Sequence, residues 1–137
     1  YENHCRLSET ETDKWGIPQL IVSADWGENE LAMRKDCAES AQEMMETAGF
    51  KDIRVTDDIE NNPQGLAIHE MGTARMGRDP KTSVLNAFNQ SHDIPNLFVT
   101  DGACMTSTAV QNPSVTYIAL TARAVDYAVN ALKRGDI

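Results

Sequence analysis

The stretch "QNPSVTYIALTARAVDYAVNALKRGDI", residues 111 to 137, carries the strongest structural signal in the chain. Asn112 is a good helix N-cap, and Pro113 suits the first helical position, where a missing N–H is harmless. Val115, Ile118, Ala119, Ala122, Val125, Val129 and Leu132 recur at three-and-four spacing and predict one apolar face. Lys133 and Arg134 sit at the negative end of the helix dipole, and Gly135 terminates it. The "RGD" at residues 134 to 136 therefore reads as a helix end rather than an adhesion signal.

Upstream, "IPNLFVTDGA" (94 to 103) holds a short apolar run, Leu97 to Val99, that stops at Asp101-Gly102 and predicts a buried strand ending in a sharp turn. Residues 56 to 65, "TDDIENNPQG", are acidic, amide-rich and punctuated by Pro63 and Gly65, which marks a boundary. Before it, "WGIPQLIVSADW" (15 to 26) predicts a strand at Leu20 to Val22 after a tight turn at Gly16 and Pro18. From Glu28 to Ala48 the residues Leu31, Cys37, Ala38, Ala41, Met44, Met45 and Ala48 follow helical spacing, with Gly49 just beyond. "FKDIRV" (50 to 55) then predicts a short half-buried strand through Phe50, Ile53 and Val55. Met44, Met45 and Tyr117 read as core, and His92, in a polar loop, as solvated. The fold class is α/β to α+β, in two parts, 1–65 and 66–137.

The totals narrow the chemistry. The chain's 137 residues, 41% of them hydrophobic, suffice for a domain of ordinary size. Acidic residues outnumber basic ones by 21 to 12, for a net charge of -9. That balance argues against nucleic acid or an anionic membrane as a partner and favours a small molecule or a protein. No apolar run approaches the roughly 20 residues of a membrane span, and "YENHCRLSET" lacks a signal-peptide layout. A soluble protein is expected, its compartment, cytoplasmic or periplasmic, left open by the sequence. The three cysteines, Cys5, Cys37 and Cys104, show no C-x-x-C spacing, and His4-Cys5 is isolated, so no metal site is expected.

"HEMGTARMG", residues 69 to 77, is the least ordinary stretch. It fails as a zinc helix, because H-E-x-x-H needs a second histidine where Thr73 stands. It fails as a phosphate loop too: Gly72 and Gly77 have the spacing, but Arg78 and Asp79 replace the lysine and the hydroxyl. Standing alone, such a histidine is most often structural.

Taken in order, "HEMGTARMG", "NLFVTDGA" and "NPSVTYIALTARA" resemble the carboxyl-terminal region of the glucose-methanol-choline (GMC) family of flavin-dependent oxidoreductases. "DKWGIP", Asp13 to Pro18, is similar to that family's substrate-domain segment. The resemblance covers nearly the whole chain. It implies an FAD enzyme oxidising the CH–OH group of an alcohol, a sugar or polyol among the candidate donors. It makes His69 the catalytic base and Asn112 the group that orients the substrate oxygen. It also sets Asp101, Gly102, Asn112, Pro113, Val115 and Thr116 against the cofactor. Elementary chemistry agrees, since alcohol oxidation needs a base for the hydroxyl proton and a donor for an oxygen gaining negative charge. Gly72 and Gly77 would allow close backbone approach or unusual dihedrals.

The family's pyrophosphate fingerprint, G-x-G-x-x-G, does not occur among the eight glycines. The expectation is a fragment: 1–65 ends a substrate domain and 66–137 belongs to the FAD-binding domain. Its partner is then the remainder of the same polypeptide, and alone it would be inactive. The competing expectation is an independent, non-catalytic ligand-binding or interaction domain that keeps the scaffold.

Overall fold

In the computed structural model, residues 3–59, 61, 64–65 and 68–137 are described, and the chain divides into two units, Tyr1–Leu66 and Ala67–Ile137. Pro63, the proline of the boundary segment, lies outside the described residues.

The first unit contains an antiparallel hairpin of β1 (His4–Thr12) and β2 (Pro18–Ser23), in register from His4 opposite Ser23 to Leu7 opposite Leu20. Its turn is built by Asp13, whose carboxylate accepts from the amides of Trp15 (2.8 Å) and Ile17 (3.0 Å). β2 matches expectation. β1 was invisible in sequence, because Cys5 and Leu7 are its only apolar residues. The register breaks between Leu7 and Thr12, where Ser8 Oγ accepts from the amides of Thr10 and Glu11 and diverts them from the ladder.

Helix α1 (Glu28–Thr47) also matches, with Glu28 and Glu30 favourably placed in its first turn. It buries no residue, and Met44 and Met45 are exposed rather than core. One helix and one hairpin have too little surface to enclose its apolar stripe. The stripe instead borders an open groove of about 620 Å³ with Trp26, Ile53 and Val55. Arg34 lies over the Trp26 ring and pairs with Asp57. The strand expected at Phe50 to Val55 does not form: Asp52 is left-handed (φ 55°) and breaks the extended run.

In the second unit, helix α2 (Ser114–Arg134) ends at Gly135 in the left-handed conformation (φ 76°), as expected. Its inward face is not the expected one. Ala124 and Ala131 are buried and Tyr117, Leu120, Tyr127 and Ala128 half-buried, while Val115, Ile118, Val125, Val129 and Leu132 are exposed. The helix carries two apolar stripes at helical spacing, and the one with small residues lets the loop layer approach. Tyr127 stacks on Phe88 at 4.2 Å between ring centroids.

That loop layer replaces the strand expected at Leu97 to Val99. It is joined by single bridges, Met76 with Leu85, Leu85 with Ser91, and Gln90 with Phe98, so no continuous ladder forms. Leu85 and Cys104, both fully buried, form its centre, and burial pushes the Cys104 thiol up from its ordinary pKa. His92 is half-buried rather than solvated, its Nε2 3.1 Å from Ser83 Oγ.

Asn89 ties the layer together. It is fully buried and left-handed (φ 63°), a region asparagine tolerates better than most residues. Its Nδ2 donates to the Val99 carbonyl (3.0 Å), and its Oδ1 accepts from Arg123 on α2 (3.3 Å). Asn89→Ala is expected to lower the unfolding free energy of the intact protein by about 2 kcal/mol, the scale for stranding a buried polar partner. An unchanged midpoint in denaturant unfolding would show that these bonds contribute nothing.

Candidate active site

The segment after His69 runs beside the turn at Asp101. Gly72 N donates to Gly102 O (3.3 Å), Ala74 N to Ala103 O (3.0 Å) and Met76 N to Cys104 O (2.9 Å). Asp101 caps the short 3-10 turn Gly102–Cys104, its carboxylate accepting from Ala103 N at 2.9 Å. Gly72 is left-handed (φ 92°), and a Cβ on Gly77 would meet Ser83 Cβ at 2.7 Å, so both glycines are required as the motif suggested. Ile68, immediately before His69, is also left-handed (φ 64°), a strained state for a β-branched residue.

His69 and Asn112 are 43 residues apart, yet His69 Nε2 lies 3.0 Å from Asn112 Oδ1. Asn112 is therefore not the N-cap. Pro113 occupies the capping position (φ -89°, ψ 0°) and offers no side-chain acceptor, while the Asn112 amide turns to the histidine. His69 is half-buried and Asn112 exposed, so the pair is reachable from solvent.

The uncapped start of α2 leaves the amides of Ser114, Val115 and Thr116 without hydrogen-bond partners among the described residues; the first helical bond runs from Tyr117 N to Pro113 O. Val115 and Thr116 are exposed and Pro113 is buried. Asp101 and Gly102 join the same patch, since Gly102 packs against the Glu70 carbonyl next to His69. The residues singled out from sequence thus meet on one surface of the second unit. Asn89 and Arg123, which brace it, were missed; the one available signal was an asparagine in a turn-rich polar stretch.

Residues 2–121 match the family model of the carboxyl-terminal GMC oxidoreductase domain. The chain belongs to the GMC oxidoreductase family. The resemblance carried by "HEMGTARMG", "NLFVTDGA" and "NPSVTYIALTARA" is borne out. Relatives of this GMC chain include the 2-methyl-1,2-propanediol dehydrogenase of Mycolicibacterium austroafricanum, 36% identical over 92% of the chain and 22% of the relative. The fructose dehydrogenase large subunit of Gluconobacter japonicus is 36% identical over 97% of the chain and 24% of its own length. The gluconate 2-dehydrogenase flavoprotein of Pantoea cypripedii is 28% identical over 87% and 20%. The chain thus spans about a quarter or less of the relatives' lengths.

Members of the GMC family are FAD-dependent. The residues present fit one edge of that cofactor: unpaired amides at the positive end of α2 suit an electron-rich, anionic ring edge, with Asn112 and His69 beside them. Among the described residues no helix is long and apolar enough to cross a membrane.

Proposed function

We propose that this chain is the carboxyl-terminal part of an FAD-dependent oxidoreductase that converts the CH–OH group of a donor to a carbonyl. Residues 1–65 would end its substrate domain, and 66–137 would return to the FAD-binding domain. The division of the chain near residue 66 supports that assignment. The remainder of the polypeptide would carry the pyrophosphate fingerprint. The names of the relatives, a diol dehydrogenase, a fructose dehydrogenase and a gluconate dehydrogenase, support a polyol or sugar-type donor.

The observation that carries the reading is the 3.0 Å contact between His69 and Asn112 at the start of α2. An alcohol oxygen seated beside the pair, within reach of both, would donate its proton to a lone pair on His69 Nε2 and accept from Asn112 Nδ2. This requires the Asn112 amide turned over, a rotation that exchanges two nearly isosteric atoms. Bound FAD would supply the hydride acceptor, held in part by the amides of Val115 and Thr116 at the start of α2. His69 would retain the hydroxyl proton and Asn112 would hold the oxygen as it gains negative charge. Asp101 holds the turn in shape and Gly102 gives the backbone access.

The test is anaerobic. Full-length protein is expected to carry a flavin absorbance that bleaches on adding a polyol, and more slowly when the reacting carbon bears deuterium. A flavin-free protein, or bleaching insensitive to deuterium, would overturn the reading.

A further inference from the structure

Gly102 needs no left-handed backbone: its φ lies outside the positive range that marks Gly72 and Gly135. What it needs is space. A Cβ at this position would lie 2.8 Å from Tyr117 Oη and 3.0 Å from the Glu70 carbonyl oxygen, with Tyr117 Cζ at an ordinary 3.5 Å. Three elements therefore meet at one absent methyl: the start of α2 through Tyr117, the Asp101 turn through Gly102, and the residue that follows His69.

We propose that Tyr117 is a positioning residue, its phenol seated on Gly102, which itself lies against the Glu70 carbonyl, so as to set the separation of His69 and Asn112. The inference rests on the catalytic reading of that pair. Tyr117 is half-buried, and its amide bonds to Pro113 O, so the ring is fixed to the helix turn that directly follows Asn112. Further along, α2 is anchored by buried Ala124 and Ala131 and by Tyr127 stacked on Phe88. A phenol ring does not compress, and its helix is held by those contacts. Any crowding at Gly102 must be relieved by the turn and by Glu70, and so by His69. Sub-ångström misplacement of a proton acceptor slows chemistry by roughly tenfold, less than the ~100-fold of a full ångström.

The experiment is a cycle in the full-length holoenzyme, read as flavin reduction at saturating alcohol together with flavin content and melting temperature. Gly102→Ala is expected to slow reduction per bound flavin about tenfold, with apparent alcohol affinity close to that of the parent. Adding Tyr117→Phe removes the 2.8 Å contact and should restore most of the rate relative to Tyr117→Phe alone. Failure of the second substitution to restore it would overturn the proposal, because Gly102 would then act on the cofactor directly. Parental rates in Gly102→Ala would overturn it as well. Should Gly102→Ala not fold, recovery of flavin-loaded protein by Tyr117→Phe reads the same contact, and no recovery counts against it. Failure of the catalytic reading itself is seen separately, as rapid reduction in a protein lacking His69.

Discussion

His69→Ala in the full-length enzyme is expected to slow flavin reduction by alcohol at least ~100-fold, because a positioned general base contributes about that much. The cofactor should stay bound. The segment that carries His69 is held by its backbone, through the bonds from Gly72, Ala74 and Met76 to the 102–104 turn, and none of these uses the imidazole. Truncation therefore removes the proposed proton acceptor while leaving its carrier in place. A partial rescue by added imidazole, entering the vacated space, would strengthen the assignment. His92→Ala provides the contrast: that ring is spent on Ser83 Oγ at 3.1 Å, so its loss should lower stability and leave the reduction rate within a few-fold. Stopped-flow reduction of His69→Ala at near parental speed would make the histidine structural, and the His69–Asn112 contact a simple bridge between two segments.

The contrast between these histidines shows what the sequence made legible. His69 could be singled out because its motif is continuous and is followed, in order, by a turn and a helix start. The helices and β2 were readable for the same reason, since their periodicity is local. Three of the errors are non-local. Val115, Ile118 and Val125 outnumber Ala124 and Ala131 in hydrophobicity, so the wrong stripe of α2 looked like the core; close approach of a loop layer selects small residues instead. Leu97 to Val99 looked like a strand because strand propensity does not reveal how many partners a strand will find. Asn112 looked like a cap because its spacing before the helix was nearly right. Its Oδ1 is instead engaged by a residue 43 positions away, which no local pattern reports.

That displacement sharpens what Asn112 substitutions should do. If the residue capped α2, Asp and Ser would conserve its role, as both are good caps. Because no side chain caps α2 and Asn112 is exposed, Asn112→Asp and Asn112→Ser should both melt within about 0.5 kcal/mol of the parent, the range for ordinary surface changes. Their chemistry should separate. A carboxylate has no hydrogen to give an oxygen gaining negative charge. It would also repel the reduced cofactor at the helix start. Asn112→Asp should therefore lose ~100-fold or more in flavin reduction, the scale of removing one oxyanion donor. Asn112→Ser keeps a donor on a shorter arm and should fall between the parent and Asn112→Asp. Normal reduction in Asn112→Asp would remove Asn112 from the chemistry, and equal losses in Asp and Ser accompanied by lower melting would assign it to the fold alone.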